Sequence, residues 1–170
     1  MKVSKIIMVF LFGIMTSVVH GQQINIDDLV KMRLMEKTSL DNYLKSKFNS
    51  TYVGYEEQSH IWSITSTSDN VLENIVMKLQ LSYESDDKKI IELVTGNKST
   101  INAIDKQIIG YKMKKISSKE SSISNDITLT EIFEGKHYVI LIKKFRTDTG
   151  ELMEQIQLTK KGWIKEVLGL

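Results

Sequence analysis

Hydrophobic and polar positions follow a helical period most clearly in the middle of the chain, from Thr100 to Ile109. Three apolar residues of this stretch fall on one stripe of a helix: Ile101, Ile104 and Ile108. Ser99 or Thr100 is expected to cap the first free N–H groups, and Gly110 is expected to end the helix in a left-handed conformation. Four strand-like runs precede this helix and four follow it, so it divides the chain into two similar parts.

Two further helices are predicted before the first strand. The first has apolar residues at helical spacing: Ile26, Leu29, Val30 and Leu34. Asn25 or Asp27 is available as its N-cap. The second is expected to be capped by Thr38 or Ser39, and it has a longer apolar stripe: Leu40, Tyr43, Leu44 and Phe48.

Eight β-strands are predicted from alternation and from turn residues. Their ranges in the sequence are: Thr51–Gln58, His60–Thr65, Ile75–Tyr83, Lys89–Val94, Tyr111–Ser117, Ile127–Phe133, His137–Phe145 and Leu152–Lys160. The Ser-rich stretch Ser117–Asn125 is predicted to be a mobile loop. Glu134–Lys136 is predicted to close a hairpin, and Thr147–Gly150 is predicted to form a turn.

The two parts of the chain resemble a repeat. A shift of 61 positions aligns Thr38–Asp41 with Ser99–Asn102, and it aligns three further pairs: Tyr43 with Ile104, Lys45 with Lys106, and Phe48 with Ile109. A helix followed by four antiparallel strands forms a half-layer, and two half-layers side by side bury one helix face. We therefore predict an α+β fold in which an antiparallel sheet of about eight strands has its helices on one face. A tandem duplication over residues 22–96 and 97–170 is favoured over chance similarity.

This order of elements is similar to that of the secreted β-lactamase inhibitory proteins, which are tandem repeats of helices and a four-stranded sheet. It also resembles that of small exported bacterial proteins with the same succession of helix and strands. The resemblance concerns topology, and it implies no functional residue in this chain. The inhibitory proteins carry disulfides, whereas this chain has no cysteine.

The N-terminal segment has the pattern of a signal peptide. Lys2 and Lys5 are followed by the apolar run Ile6–Val19, and His20-Gly21 precedes a polar stretch. The alternative, a membrane anchor, is disfavoured because the run is shorter than the ~20 residues that span a bilayer. We predict that residues 1–21 are removed and that residues 22–170 form one domain. Without cysteines, a periplasmic or extracellular location of bacterial type is expected.

The charge of the chain is balanced overall but uneven along its length. Residues 22–96 contain 8 basic and 12 acidic side chains, whereas residues 97–170 contain 13 and 9. A neutral domain has no overall field that attracts nucleic acid, so no nucleic-acid partner is expected. The opposite charges of the two parts favour their packing together, or the association of two copies of the chain.

Motifs of known enzyme chemistry are weak or missing. Asp148-Thr149-Gly150 matches the aspartic-protease triplet, but that chemistry needs two such aspartates, so a turn is the better interpretation. His60 and His137 have no second ligand at metal-binding spacing, and no serine lies in a G-x-S-x-G elbow. We therefore expect no enzyme activity, no catalytic residue, no metal site and no cofactor.

Two groups of residues are candidates for binding a partner. Tyr52, Tyr55 and Trp62 lie on adjacent predicted strands, where they form either a corner of the core or a contact patch. Val139 and Leu141 alternate with apolar residues of the opposite face, so they are expected to look away from the helices. We predict that the tail from Trp163 to Leu170 folds back over part of this strip.

Two functions remain open from the sequence. The first is a non-catalytic exported protein that binds or inhibits another protein through its sheet surface or its loops. The alternative is a carrier that holds a small apolar ligand between helices and sheet. A cavity larger than about 300 Å³ with an aliphatic lining would favour the carrier, and a solid core with an exposed apolar patch would favour the binding protein.

Overall fold

The structure is a computed structural model that describes residues 23–56, 59–64, 75–80, 89–123 and 126–162. Side chains are not described at 75–80, 123, 126 and 127. The predicted signal peptide and the predicted docking of the tail from Trp163 onward lie outside the described residues.

The architecture is α+β, as predicted, with one antiparallel sheet. The strands are β1 (Ser50–Glu56), β2 (Ser59–Ile64), β3 (Ile75–Gln80), β4 (Ile90–Thr95), β5 (Lys114–Ile123), β6 (Asp126–Glu134), β7 (Tyr138–Arg146) and β8 (Leu152–Lys160). Their order across the sheet is β1-β2-β3-β4-β8-β7-β6-β5. Each half of the chain therefore forms a meander of four strands, and β4 pairs with β8 where the two meanders meet.

Three helices are described: α1 (Ile26–Arg33), α2 (Lys37–Phe48) and α3 (Lys98–Gly110). The predicted N-cap of α1 is confirmed, because the side chain of Asn25 accepts from the N–H of Asp28 at 3.0 Å. The caps of the other two helices differ from the prediction. Glu36 begins α2 without a side-chain cap, and Asn97 caps α3.

The end of α3 also differs from the prediction. Gly110 is still helical, and the left-handed residue is Lys112, with φ of 51°. The N–H of Met113 donates to the carbonyl of Ile108 at 3.1 Å, and that of Lys112 donates to the carbonyl of Ile109 at 3.0 Å. These two bonds form a Schellman ending. Met113 thereby leaves the helix at a fixed angle, on the side of Ile108.

The Ser-rich stretch is not a loop. Residues 117–123 form most of β5, which pairs with β6 along its whole length. Small polar side chains give no apolar alternation that would indicate a strand. The strand forms because the backbone N–H and C=O groups of β5 pair with those of β6. β5 is an edge strand, and so its outer backbone groups face away from the sheet.

One main core lies between the three helices and the inner face of the sheet. On the strands it is formed by buried residues that alternate along each strand: Trp62, Ile64, Ile91, Leu93, Ile140, Ile142, Ile156 and Leu158. Helices contribute Leu29, Leu40, Leu44 and Ile104, among others. Ile140 and Ile142 of β7 therefore face the helices.

The two helices of the sequence repeat do not bury matching residues at the predicted shift. Leu40 and Ile104 are buried, but Ile101 and Tyr43 are only half-buried, and Ile109 is 78% exposed. The buried positions of α2 and α3 instead correspond at a shift of 60: Leu40 with Thr100, Leu44 with Ile104, and Phe48 with Ile108. The face of each helix is set by its contact with the sheet and not by similar residue types.

Polar contacts between helices fix α1 in place. Asp28 is buried, and it accepts from the hydroxyl of Tyr43 at 3.0 Å and pairs with Lys47. Arg33 is also buried, and its Nε donates to the carbonyl of Lys89 at 2.8 Å. Burying these charges is tolerated because each is hydrogen-bonded. α1 is thus bound to α2 on one side and to the start of β4 on the other.

Candidate functional site

A cleft of about 350 Å³ opens between α1, the end of α3 and the β6–β7 hairpin. Its walls are mainly apolar and are formed by residues from these three regions: Ile26, Val30, Met113, Tyr138 and Ile140. Gly135 also lines the cleft, and the polar residues of its lining are Asp27, Tyr111, Lys136 and His137. The volume falls in the range of small-molecule sites, which run from about 300 to 1,000 Å³.

The apolar wall follows from the periods of the elements that form it. Ile26 and Val30 lie four residues apart on α1, so they share one face of that helix. Tyr138 and Ile140 alternate on β7 and point to the same face of the sheet. Residues of these two faces line the cleft from opposite elements of the fold.

Met113 lines the cleft next to Gly135. A Cβ atom at Gly135 would lie 3.2 Å from Cε of Met113 and 3.4 Å from its Cγ. Only glycine allows this approach without displacing the methionine. A thioether side chain with three rotatable bonds adapts to the shape of its neighbours. Gly135 and Met113 together therefore set the width of the cleft at the hairpin.

Hydrogen bonds connect the polar lining residues of α1 with the end of α3. Oδ1 of Asp27 accepts from the hydroxyl of Tyr111 at 2.5 Å, and Oδ2 accepts from Nε2 of Gln107 at 3.0 Å. Oε1 of Gln107 in turn accepts from the N–H of Ile26 at 2.5 Å. The hydrogen bond to Asp27 raises the pKa of Tyr111 above its usual value. This network joins the first turn of α1 to the end of α3.

The hairpin that carries Lys136 and His137 is also anchored. The N–H of Gly135 donates to the carbonyl of Tyr138 at 2.9 Å, and the N–H of Lys161 donates to the carbonyl of His137 at 2.9 Å. Both Lys136 and His137 are exposed. Their side chains therefore stand at the mouth of the cleft on a backbone that is held from two sides.

The predicted aromatic group is brought together, on the helix-facing side of β1 and β2. Trp62 is fully buried, Tyr52 is half-buried, and Tyr55 is 46% exposed. A bulge between Tyr52 and Gly54 puts both tyrosines on the same face, where Tyr55 pairs with His60. The centroid of the His60 ring lies 4.8 Å from that of Tyr55 and 6.0 Å from that of Trp62.

Polar contacts make this aromatic group part of the core corner. Nε1 of Trp62 donates to Oδ1 of Asp41 at 3.1 Å, and Tyr52 Oη is hydrogen-bonded to Nδ1 of His60 at 2.9 Å. The ammonium of Lys37 lies 4.3 Å from the centre of the Tyr52 ring. Burial, and then the charge of Lys37, lower the pKa of His60 below its usual value.

The predicted strip of Val139 and Leu141 lies on the outer face of the sheet, opposite the helices. Val139 is fully buried and packs with Ile132, while Leu141 is half-buried beside them. Val139 and Leu141 therefore look away from the helices, as predicted, and Val139 is buried on that outer face. These three residues form a second, small apolar cluster.

Next to this cluster, the outer face carries a polar groove of about 730 Å³. Hydroxyl and amide side chains dominate its lining: Ser117, Ser121, Thr128, Thr130, Gln155 and Gln157. Lys119 and Lys143 also line it, in one row across the strands with Thr130 between them. Among the described residues, neither lysine is in an ion pair.

The lysines of the inner face, in contrast, are paired. Lys115 contacts Glu131 at 2.5 Å, and Lys144 lies 3.5 Å from Glu131 and 3.6 Å from Glu154. The hydrogen bond with Lys115 lowers the pKa of Glu131, whereas burial raises the pKa of Glu154. Burial opposes the charge of Lys144, but Glu154 and Glu131 outweigh it and raise the pKa of that ammonium.

The residues of the cleft were not identified as a site from the sequence. Gly135 and Lys136 were expected in a hairpin, and Ile26 and Val30 on a helix, but nothing connected the two regions. The available signal is Met113, an apolar residue among lysines directly after a helix. His60 lies on β2, whereas His137 lies in the β6–β7 hairpin. Among the described residues, no group of three or more His, Cys, Asp or Glu side chains could hold a metal ion.

Comparison with known proteins finds no match to this chain among family models, curated sequences or solved structures. No helix in the described part of the chain has the length and apolar character needed to cross a membrane.

Proposed function

We propose that the protein is a non-catalytic binding protein that holds a small, largely apolar ligand in the cleft between α1 and the β6–β7 hairpin. The observation that supports this proposal is the cleft itself. It has about 350 Å³ of space, and its walls are formed by Ile26, Val30, Met113 and Ile140. An apolar concavity of this size with a few polar groups at its rim is typical of ligand sites.

Fluorescence of the neutral apolar dye N-phenyl-1-naphthylamine tests this function. We expect the dye to bind the purified protein with increased emission. Val30→Phe places a larger ring in the cleft, and it should abolish most of the increase. The matched control is Val53→Phe, because Val53 is 63% exposed on β1 and far from the cleft. Equal dye binding by both variants would contradict the proposal.

A second candidate function is the binding of an acidic partner protein to the outer face. Lys119 and Lys143 lie two strands apart, about 10 Å, in a groove without lining carboxylates. Charge complementarity would attract an acidic surface. The double change Lys119→Glu and Lys143→Glu should abolish the capture of such a partner from a periplasmic extract. Lys106→Glu, on α3, should leave the capture unchanged, and equal loss in both proteins would contradict this candidate.

We propose further that the protein is exported and that its signal peptide is residues 1–21. The basic start and the apolar run Ile6–Val19 support this proposal. Mass spectrometry of the protein from its own cells should give a chain that begins at Gln22. A chain that keeps Met1 would contradict it.

We propose that the chain arose by tandem duplication. Each half has a helix followed by a four-stranded meander, and the buried helix positions correspond at a shift of 60.

The opposite charges of the two halves also support a proposal that two copies of the chain associate. Sedimentation at low and high salt would test this, since a dimer held by charge should dissociate as salt rises.

A further inference from the structure

We propose that the ligand of the cleft is an amphiphile with an anionic head group, and that Lys136 binds this group at the mouth. This inference rests on the proposed function, because it concerns the ligand of the same site. The class of compound is a medium-chain carboxylate or an anion of similar size and shape. The proposal follows from the charges at the rim and from the volume of the cleft.

The two formal charges of the rim differ in how they are satisfied. Asp27 uses both carboxylate oxygens, one for the hydroxyl of Tyr111 and one for the amide of Gln107. Within the described part of the chain, Lys136 makes neither an ion pair nor a side-chain hydrogen bond. The charge that remains available to a ligand is therefore positive.

The position of Lys136 suits an anion that enters head outward. Its backbone lies in the hairpin that the Gly135 N–H and the His137 carbonyl hold in place. The apolar wall at Tyr138 and Ile140 begins directly beside it. A ligand with its tail against this wall therefore has its head beside the ammonium of Lys136. His137 lines the same mouth and adds a ring nitrogen as a hydrogen-bonding group.

The volume limits the length of the apolar part. A cavity of about 350 Å³ holds about a dozen groups of the size of a water molecule, since each takes up ~30 Å³ in the liquid. An unbranched chain of about ten carbons corresponds to this number. Ile26, Val30 and Ile140 give the wall its aliphatic surface, and Met113 can adjust to a flexible chain.

Displacement of N-phenyl-1-naphthylamine by three ligands of one chain length tests the inference. The ligands are decanoate, decanol and decylammonium, compared near neutral pH and below their micellar concentrations. We expect decanoate to displace the dye at the lowest concentration, decanol next and decylammonium last. An exposed ion pair contributes up to about 1 kcal/mol, which is about fivefold in affinity.

The variant Lys136→Gln should remove the advantage of decanoate over decanol without changing the affinity for decanol. The control variant Lys119→Gln removes a lysine on the outer face and should keep the advantage. Thermal melts of both variants should match the parent protein, since both positions are exposed.

Three outcomes would overturn the inference. If decanoate and decanol displace the dye from the parent protein equally well, no cation at the mouth binds the head group, although the proposed function stands. A preference for decanoate that persists in Lys136→Gln assigns the head group to another residue. If the dye binds to neither the parent nor the variants, the proposed function fails together with the inference.

Discussion

Tyr111 donates its hydroxyl hydrogen to Oδ1 of Asp27 at 2.5 Å, and this bond joins the residue after α3 to the first turn of α1. The two residues are far apart in sequence, but both line the cleft. The shape of the cleft therefore depends on how α1 is held against α3, and not only on the residues of its wall.

A double-mutant cycle measures the contribution of this bond. We expect Tyr111→Phe to lower the free energy of unfolding by about 0.5–1 kcal/mol, because the bond is charge-assisted but exposed. Asp27→Ala should cost somewhat more, since it also removes the contact with Gln107. The double variant should show a coupling of about 0.5 kcal/mol in denaturant melts. Additive effects within about 0.3 kcal/mol would mean that the bond contributes nothing in solution.

Gly135→Ala should narrow the cleft. The added Cβ would lie 3.2 Å from Cε of Met113, so the methionine must move, and the open side is the cleft. We expect weaker binding of the apolar dye with a loss of stability below about 1 kcal/mol, because Met113 is flexible. Combining it with Met113→Ala should restore dye binding.

Gly54→Ala is the matched control for this change. Gly54 lies on β1, away from the cleft, and a Cβ there meets nothing within 4 Å. The Gly54→Ala variant should bind the dye with the same affinity as the parent protein. If Gly135→Ala binds the dye as tightly as Gly54→Ala, Met113 does not set the width of the cleft.

The buried carboxylates on β6 and β8 should change stability with pH in opposite directions. Burial raises the pKa of Glu154, so its contribution is complete below the unfolded value and is lost as pH rises through the folded value. Lys115 lowers the pKa of Glu131, so its contribution is present above the unfolded value and is lost as pH falls through the folded value. Both unfolded values are near ~4.3.

Melts of Glu154→Gln and Glu131→Gln between about pH 3 and pH 8 separate these two effects. Relative to the parent, Glu154→Gln should become more stable as pH rises above ~4.3, because the parent must ionise a buried acid. Glu131→Gln should be less stable than the parent near neutral pH, and the difference should shrink towards pH 3. A difference that is independent of pH in either variant would contradict the assigned shift.

The structure changes how much stability each apolar residue of α2 and α3 is expected to contribute. Leu40→Ala and Ile104→Ala remove fully buried side chains, so each should cost about 2–5 kcal/mol. Ile101 is only half-buried, and Ile101→Ala should cost clearly less. If Ile101→Ala and Ile104→Ala lower the free energy of unfolding equally in urea melts, Ile101 is as much a core residue as Ile104. The alignment of the two helices with a shift of 61 positions would then be supported.

Much of the fold follows from local pattern. The apolar stripe of α2 and the alternation of β7 predict their buried faces, since both periods report directly on which side meets the core. Asn25 as cap of α1 follows from a local hydrogen bond. The Ser-rich part of β5 could not be recognised, because its strand depends on pairing with β6 and not on its own residues.

The cleft could not be predicted because it is a tertiary feature. Val30 lies on α1, Met113 follows α3, and Ile140 lies on β7. In the sequence, each has the pattern of an ordinary core residue. Their arrangement depends on the Schellman ending at Lys112, which was expected at Gly110. The burial of Val139 on the outer face likewise depends on its contact with Ile132 of the neighbouring strand, which the alternation within β7 does not report.

Backbone amide shifts on addition of decanol test the central claim most directly, because they locate the ligand without any substitution. The account predicts that the shifts cluster at Ile26, Val30, Met113 and the hairpin from Gly135 to Ile140, and that they saturate. Saturating shifts at Ile132, Leu141 and Gln157 on the outer face, or no saturating shifts at all, would contradict it.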